Sequence, residues 1–250
     1  MKKLLMILAA ALLIGCKADA PKQETGNTTQ GCDAFDVCEE DSFAIATADF
    51  KEAYEALNGK TNASGKVHRT IHLPENHPFV ETDIETVLDL LKNGKSFYLY
   101  VGDEMCPWCR AVIETAADKA IQYSAHEVLY LPIWDEDGNE ILRDKYELQD
   151  GKPVLVSEGT EGYQELLKYF DEVLAPYTLS EGDTEIEVGE KRIYAPNFFR
   201  IIGGGREVYM TTGIPEDLSD PRAELSADQE KEIADQLDEL FKTGSLVNVK

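Results

Sequence analysis

Basic residues are scarce in this sequence: 24 Lys and Arg stand against 48 Asp and Glu, for a formal net charge of −24. So acidic a chain excludes nucleic-acid binding, which needs clustered cations to displace counterions, and lying flat on anionic lipid. Long apolar runs are scarce too. The one extended run, residues 4–14, falls short of the roughly 20 residues that span a bilayer. Histidine is rare, with four copies. If residues 67–73 (Val67, Ile71, Leu73) form a strand, His68 and His72 stand about 13 Å apart, too far for one ion. Those two and His77 read as surface side chains, and no metal is expected. Asp135-Glu136-Asp137-Gly138-Asn139-Glu140 lacks the spacing of a twelve-residue calcium loop and reads as a turn leading into a helix. Gly203-Gly204-Gly205 opens no helix, so it is a hairpin turn and not a phosphate cradle. No internal repeat is present.

What is there begins with Met1-Lys2-Lys3, a positive start before the short apolar run. That combination reads as a secretory signal peptide rather than a membrane span. The run ends in Leu13-Ile14-Gly15-Cys16, which resembles the lipobox of bacterial lipoproteins. The resemblance implies cleavage after residue 15 and lipid on the Cys16 thiol. It implies an anchor on the extracytoplasmic face of a bacterial membrane. Residues 16–41, polar and carrying Pro21, Gly26 and Asn27, form a flexible tether. Residues 42–250 are the folded domain.

Of the five cysteines, Cys16 is the expected lipid site and Cys106 and Cys109 form a C-x-x-C. Cys32 and Cys38 remain as a candidate structural disulfide, because an exported protein meets an oxidising compartment. The stretch 96–101 is short, β-branched and aromatic, and reads as a buried strand. Helix signals follow directly, with Pro107 in the first turn. Other expected elements are helices at 48–57, 84–91 after a capping box at Thr82–Glu85, 139–148, 161–174, and one opened by Ser226 with Gln229. A strand is expected at 128–134, an apolar run at 153–156, extended chain at 185–194, and a hairpin at 197–210.

A C-x-x-C placed between a strand and a helix start has a chemical rationale. Thiolate is the reactive form, and the unpaired N–H groups of a helix N-terminus stabilise it. Cys106 is therefore the expected exposed nucleophile and Cys109 the resolving thiol.

Cys106-Pro107-Trp108-Cys109 after Tyr98-Leu99-Tyr100-Val101, with Tyr194-Ala195-Pro196-Asn197-Phe198-Phe199 downstream, resembles the thioredoxin-fold oxidoreductases. It is especially similar to the thioredoxin-like lipoproteins and bacteriocin-accessory-type proteins of Gram-positive bacteria. The resemblance implies an α/β, thioredoxin-like fold with a core at about 80–243. It also implies an inserted helical segment at about 135–190, between the central strand and the hairpin led by a cis-proline. Pro107 and Trp108 would belong to the motif. Ala195 and Pro196 would line the substrate groove, with Ala195 pairing to substrate backbone across a cis Ala195–Pro196 peptide. The family's buried Asp is replaced here by Tyr100, and the Trp before the first Cys by Met105. Asp103 and Glu104 would disfavour a thiolate if they lie close.

The expected function is extracytoplasmic thiol–disulfide exchange with protein thiols or disulfides. It needs no cofactor beyond the cysteine pair and draws on a membrane or extracytoplasmic redox partner. The alternative is a non-enzymatic lipoprotein that binds a peptide or partner in the same groove, with a structural disulfide.

Overall fold

The computed structural model describes residues 50–134, 139–182 and 184–242. The leader, Cys16, the tether, Cys32 and Cys38 lie outside the described residues, as do 135–138 of the acidic turn. Among the described residues no helix is long and apolar enough to cross a membrane.

In chain order the elements are α1 (Phe50–Ala56), β1 (Phe79–Glu81), α2 (Ile84–Lys92), β2 (Phe97–Gly102), α3 (Pro107–Gln122), β3 (Val128–Pro132), β4 (Lys145–Gln149), β5 (Lys152–Ser157), α4 (Tyr163–Phe170), β6 (Pro176–Glu181), β7 (Thr184–Lys191), β8 (Asn197–Ile202), β9 (Glu207–Thr211) and α5 (Ala227–Phe241). The architecture is mixed α/β. Five strands make one mixed sheet in the order β1-β3-β2-β8-β9. β1 and β2 run parallel to β3, while β8 is antiparallel to β2 and β9 to β8.

All six residues of β2 are buried. A central strand covered on both faces must be apolar throughout, because successive side chains point to opposite sides. Tyr98 and Tyr100, with Val128, Tyr130 and Phe198, pack against α1, α3 and α5. Phe97, Leu99 and Val101, with Leu131, Phe199 and Ile201, pack against α2 and α4. Each fully buried side chain of this size contributes roughly 1.5–3 kcal/mol. The buried stripe of α3 is largely alanine, Ala111, Ala116, Ala117 and Ala120, which lets α5 lie close against it.

Polar side chains fix the ends. Ser226 and Gln229 form the expected capping box of α5. Buried Arg200 on β8 donates through Nη1 to the carbonyls of Glu239, Leu240 and Lys242, satisfying the other end of that helix. α2 differs from expectation, since its N-cap is Asp83, whose carboxylate accepts from the Thr86 N–H at 2.8 Å. The Thr82 N–H is taken by the Tyr130 carbonyl as a continuation of β1, so it is not open to the Glu85 side chain as a capping box requires. The turn between β8 and β9 has all three glycines at positive φ. A Cβ on Gly204 would lie 2.2 Å from the Leu91 carbonyl oxygen, so the turn seats directly on the end of α2.

Other expectations are corrected. Residues 67–73 are not a strand and hold one isolated bridge, Thr61 to Val67. Ile71 and Leu73 are nevertheless buried, because Asn58 makes two hydrogen bonds to the Ile71 backbone and Glu55 accepts from the Leu73 N–H. Side chains thus replace a partner strand. His68, expected at the surface, is buried with Nδ1 unpartnered, while His72 is exposed. The segment 139–148 is not a helix: β4 pairs with β5 in a hairpin, and the run 153–156 is its second strand. Asp150 and Gly151 both have positive φ, which suits a two-residue turn between twisted strands. The expected helix at 161–174 is the shorter α4. Between β3 and β8 the described chain therefore holds two hairpins and one helix, not a helical segment.

Candidate functional site

β2 delivers the chain into a tight loop, and Cys106 ends it as the N-cap of α3, with φ −69° and ψ 118°. Pro107 follows at a position whose N–H would be unpaired in any case. Cys109 lies one turn along, and its backbone N–H donates to Cys106 Sγ at 3.4 Å. On the opposite side the Cys106 thiol donates to the Ala195 carbonyl oxygen at 3.7 Å. The Ala195–Pro196 peptide is cis, as the resemblance implied. The two cysteines are separate thiols. The structure thus brings Cys106, Cys109, Pro107, Trp108, Ala195 and Pro196 to one end of the sheet.

Cys106 is 4% exposed and Cys109 fully buried. A first cysteine at a helix start is expected in the open, and here it is covered. In the fold, Trp108, Trp134 and Ala195, each half-buried, pack onto the cluster that contains it. Burial alone would raise both thiols. Instead they split. A hydrogen bond from the Cys109 side chain holds Cys106 below the ordinary thiol value, helped by the backbone N–H groups of Cys109 and Trp108 and by the Arg143 guanidinium. Burial pushes Cys109 well above that value, and the neighbouring Cys106 adds to the shift. One sulfur is prepared to be a thiolate, and the other is kept as a thiol until its partner changes.

Asp103 is buried three residues before Cys106. Its carboxylate accepts from the N–H groups of Met105 at 2.9 Å and Trp134 at 3.2 Å. Burial, with the negative charge of Glu104, pushes its carboxyl up to about 8. At neutral pH it is therefore mostly uncharged and does not repel a Cys106 thiolate.

Two arginines support the site from opposite sides. Arg110, immediately after Cys109, is buried and donates to the carbonyls of Tyr54, Arg69 and Glu104 and to Asn58 Oδ1. It ties α1 and the 58–71 loop to the first turn of α3. Arg143, from the segment between β3 and β4, donates to the Ile193 carbonyl at 3.2 Å and pairs with Glu140. It thereby steadies the chain two residues before Ala195. Sequence reasoning missed Arg143, whose position in an expected helix gave no hint of the site. It also missed the Tyr54 and Tyr100 hydroxyls, which are 2.7 Å apart and buried beside Cys109. No spacing in the sequence links those two tyrosines.

Among the described residues, no three His, Cys, Asp or Glu side chains gather as a metal-binding group. No protein-family model matches this chain, and no curated protein is significantly similar to it.

Proposed function

We propose that this chain is a thioredoxin-like thiol–disulfide oxidoreductase, exported and lipid-anchored through Cys16, that exchanges disulfides with extracytoplasmic proteins. The observation that carries the reading is the placement of the pair: Cys106 caps the start of α3, its sulfur accepts the Cys109 N–H at 3.4 Å, and the Ala195 carbonyl before the cis-proline lies 3.7 Å from it. Three features support the thioredoxin-like fold. The dithiol follows the end of a central strand, a proline-led strand lies beside it, and the Ala195 carbonyl faces the first sulfur. On this reading the insertion lies at about 135–190.

In the reducing direction, the Cys106 thiolate attacks one sulfur of a substrate disulfide. A Cys106–substrate disulfide forms, and the other substrate sulfur leaves as a thiolate and takes up a proton. Cys109 then loses its proton and attacks Cys106 Sγ. The Cys106–Cys109 disulfide forms, and the second substrate sulfur departs with the electron pair and the proton. Two electrons pass from the pair to the substrate, and a dithiol protein partner restores the pair. The oxidising direction is the reverse. Trp108, half-buried at the rim, and the Ala195 backbone would hold the substrate strand against Cys106.

The test is trapping. Cys109→Ala is expected to accumulate mixed disulfides through Cys106, and Cys106→Ala to trap at least ~10-fold fewer. Insulin reduction should vanish in both variants. A wild-type protein that neither reduces insulin nor oxidises dithiols would leave the pair as a structural disulfide in a binding protein. Cys16→Ser should release the protein from membranes, and unchanged fractionation with normal processing would remove the anchor.

A further inference from the structure

Resolution requires a negative charge on Cys109, a sulfur with no exposed surface. A buried anion is costly unless a donor meets it. The donors within reach are the Asp103 backbone N–H and the phenol of Tyr100 on β2, which is buried in one cluster with Cys109. The phenol reaches this place by folding back over Gly102, where a Cβ would stand 2.1 Å from its oxygen. Its ring is clamped by stacking on Phe198 at 4.6 Å and Tyr130 at 5.4 Å. Behind it, Tyr54 from α1 places its own oxygen 2.7 Å from the Tyr100 oxygen.

We infer that the Tyr100 hydroxyl, backed by that of Tyr54, stabilises the Cys109 thiolate during the resolving step. The inference rests on the thiol–disulfide reading above. A tyrosine has one proton to give and lone pairs to receive. When Tyr100 donates to the sulfur, its oxygen is free to accept from Tyr54, so two aligned dipoles point at the developing charge. Burial holds both phenols well above their ordinary value, so both carry their protons at neutral pH. In the step itself the Cys109 S–H bond breaks, the Cys109–Cys106 bond forms, and the Cys106–substrate bond breaks. The departing substrate sulfur takes the electron pair and a proton. On this inference Tyr100 donates to the reacting sulfur and is catalytic in that sense, while Tyr54 is a positioning residue. The other titratable groups around Cys109 are Cys106, Asp103 and Tyr130.

The test uses the full chain carrying Cys16→Ser, Cys32→Ser and Cys38→Ser, so that the pair alone reacts. Stopped-flow reaction with Ellman's reagent separates two releases of thionitrobenzoate. The first reports attack by Cys106, and the second reports resolution by Cys109. Tyr100→Phe is expected to slow the second phase about tenfold at pH 7 and to move its pH profile upward, leaving the first phase within about twofold. Tyr54→Phe should slow the second phase by about threefold in the same manner. Tyr130→Phe keeps the stacked rings but alters a hydroxyl directed at Glu104, and both phases should stay within about twofold. A second phase within about twofold of wild type in Tyr100→Phe overturns the inference. Equal slowing in Tyr130→Phe also overturns it, by assigning the effect to ring packing. If Tyr100→Phe does not fold, Tyr54→Phe decides by the same criterion. A parent chain with no second phase at all would instead defeat the thiol–disulfide reading.

Discussion

The five-stranded sheet and the paired hairpins of residues 145–191 are built on different terms. In β2 and β8 nearly every side chain is buried, whereas β4, β5 and β7 leave most of theirs in solvent. Val154, Leu155 and Val156 are each exposed, although they form the most apolar stretch of the hairpin pair. Polar groups brace the chain flanking the hairpins, with Arg143 and Arg192 around Glu140, and Arg192 lies over the Tyr177 ring of β6 at 4.1 Å. Cohesion in the sheet comes from area removed from water, and cohesion in the hairpins from a few directed bonds. Stability should therefore be unevenly distributed, highest where the cysteines sit.

Three substitutions press on that contrast. Arg110→Met strips donors from the carbonyls of Tyr54, Arg69 and Glu104 and frees α1 and its loop from α3. It should cost about 3 kcal/mol in urea unfolding, or roughly 6–12 °C in Tm. A loss below about 1 kcal/mol would mean that the packed half does not depend on this staple.

The next effect concerns Asp103. Its folded value is raised to about 8. The folded state therefore keeps a proton that the unfolded chain gives up near the ordinary carboxyl value. Its contribution is fully present below about pH 4 and is lost as pH rises toward and through 8. Between pH 6 and pH 8 the wild type should lose on the order of 2 kcal/mol more stability than Asp103→Asn. Denaturant titrations at the two pH values measure this, and parallel pH slopes would show that burial does not strain this carboxyl.

The smallest effect belongs to Leu155→Ser on β5. It should stay within about 0.5 kcal/mol of wild type, because the side chain gives up little buried area. A cost comparable to a core Leu→Ala, about 2–5 kcal/mol, would make the hairpins part of the same cooperative unit.

The same contrast explains what was legible in the sequence. The strand at 97–102, the helix after Cys106, the proline-led hairpin and the capping box at Ser226 all have local signals that agree with their burial. The pairing of Cys106 with Cys109 could be anticipated for that reason, and the approach of Ala195 from the family resemblance. The hairpin of β4 and β5 carries only half a signal in hydrophobic period: β4 alternates, with Tyr146 and Leu148 half-buried, but β5 is exposed at all but Pro153. Its one clear mark, Asp150-Gly151 between two β-prone runs, is a turn signal that the helical reading of 139–148 overrode. Residues 67–73 misled in the opposite way. Their buried Ile71 and Leu73 resemble strand positions, yet Asn58 and Glu55 supply the hydrogen bonds a neighbouring strand would give. Long-range side-chain arrangements leave no such trace, which is why Arg143 and the two tyrosines beside Cys109 emerged only from the fold.

The phenol folded over Gly102 carries a consequence for how this chain changes over generations. Gly102 has an ordinary backbone conformation and is glycine for space alone, since an added Cβ would meet the Tyr100 oxygen at 2.1 Å and its ring carbons at 2.2 and 2.6 Å. The two positions are therefore epistatic, and the order of events is constrained. A tyrosine is accepted at 100 only where glycine already stands at 102, and alanine returns to 102 only after the ring has gone. Gly102→Ala should be severe beside Tyr100 and mild beside Tyr100→Val, a non-additivity that a double-mutant cycle reads directly.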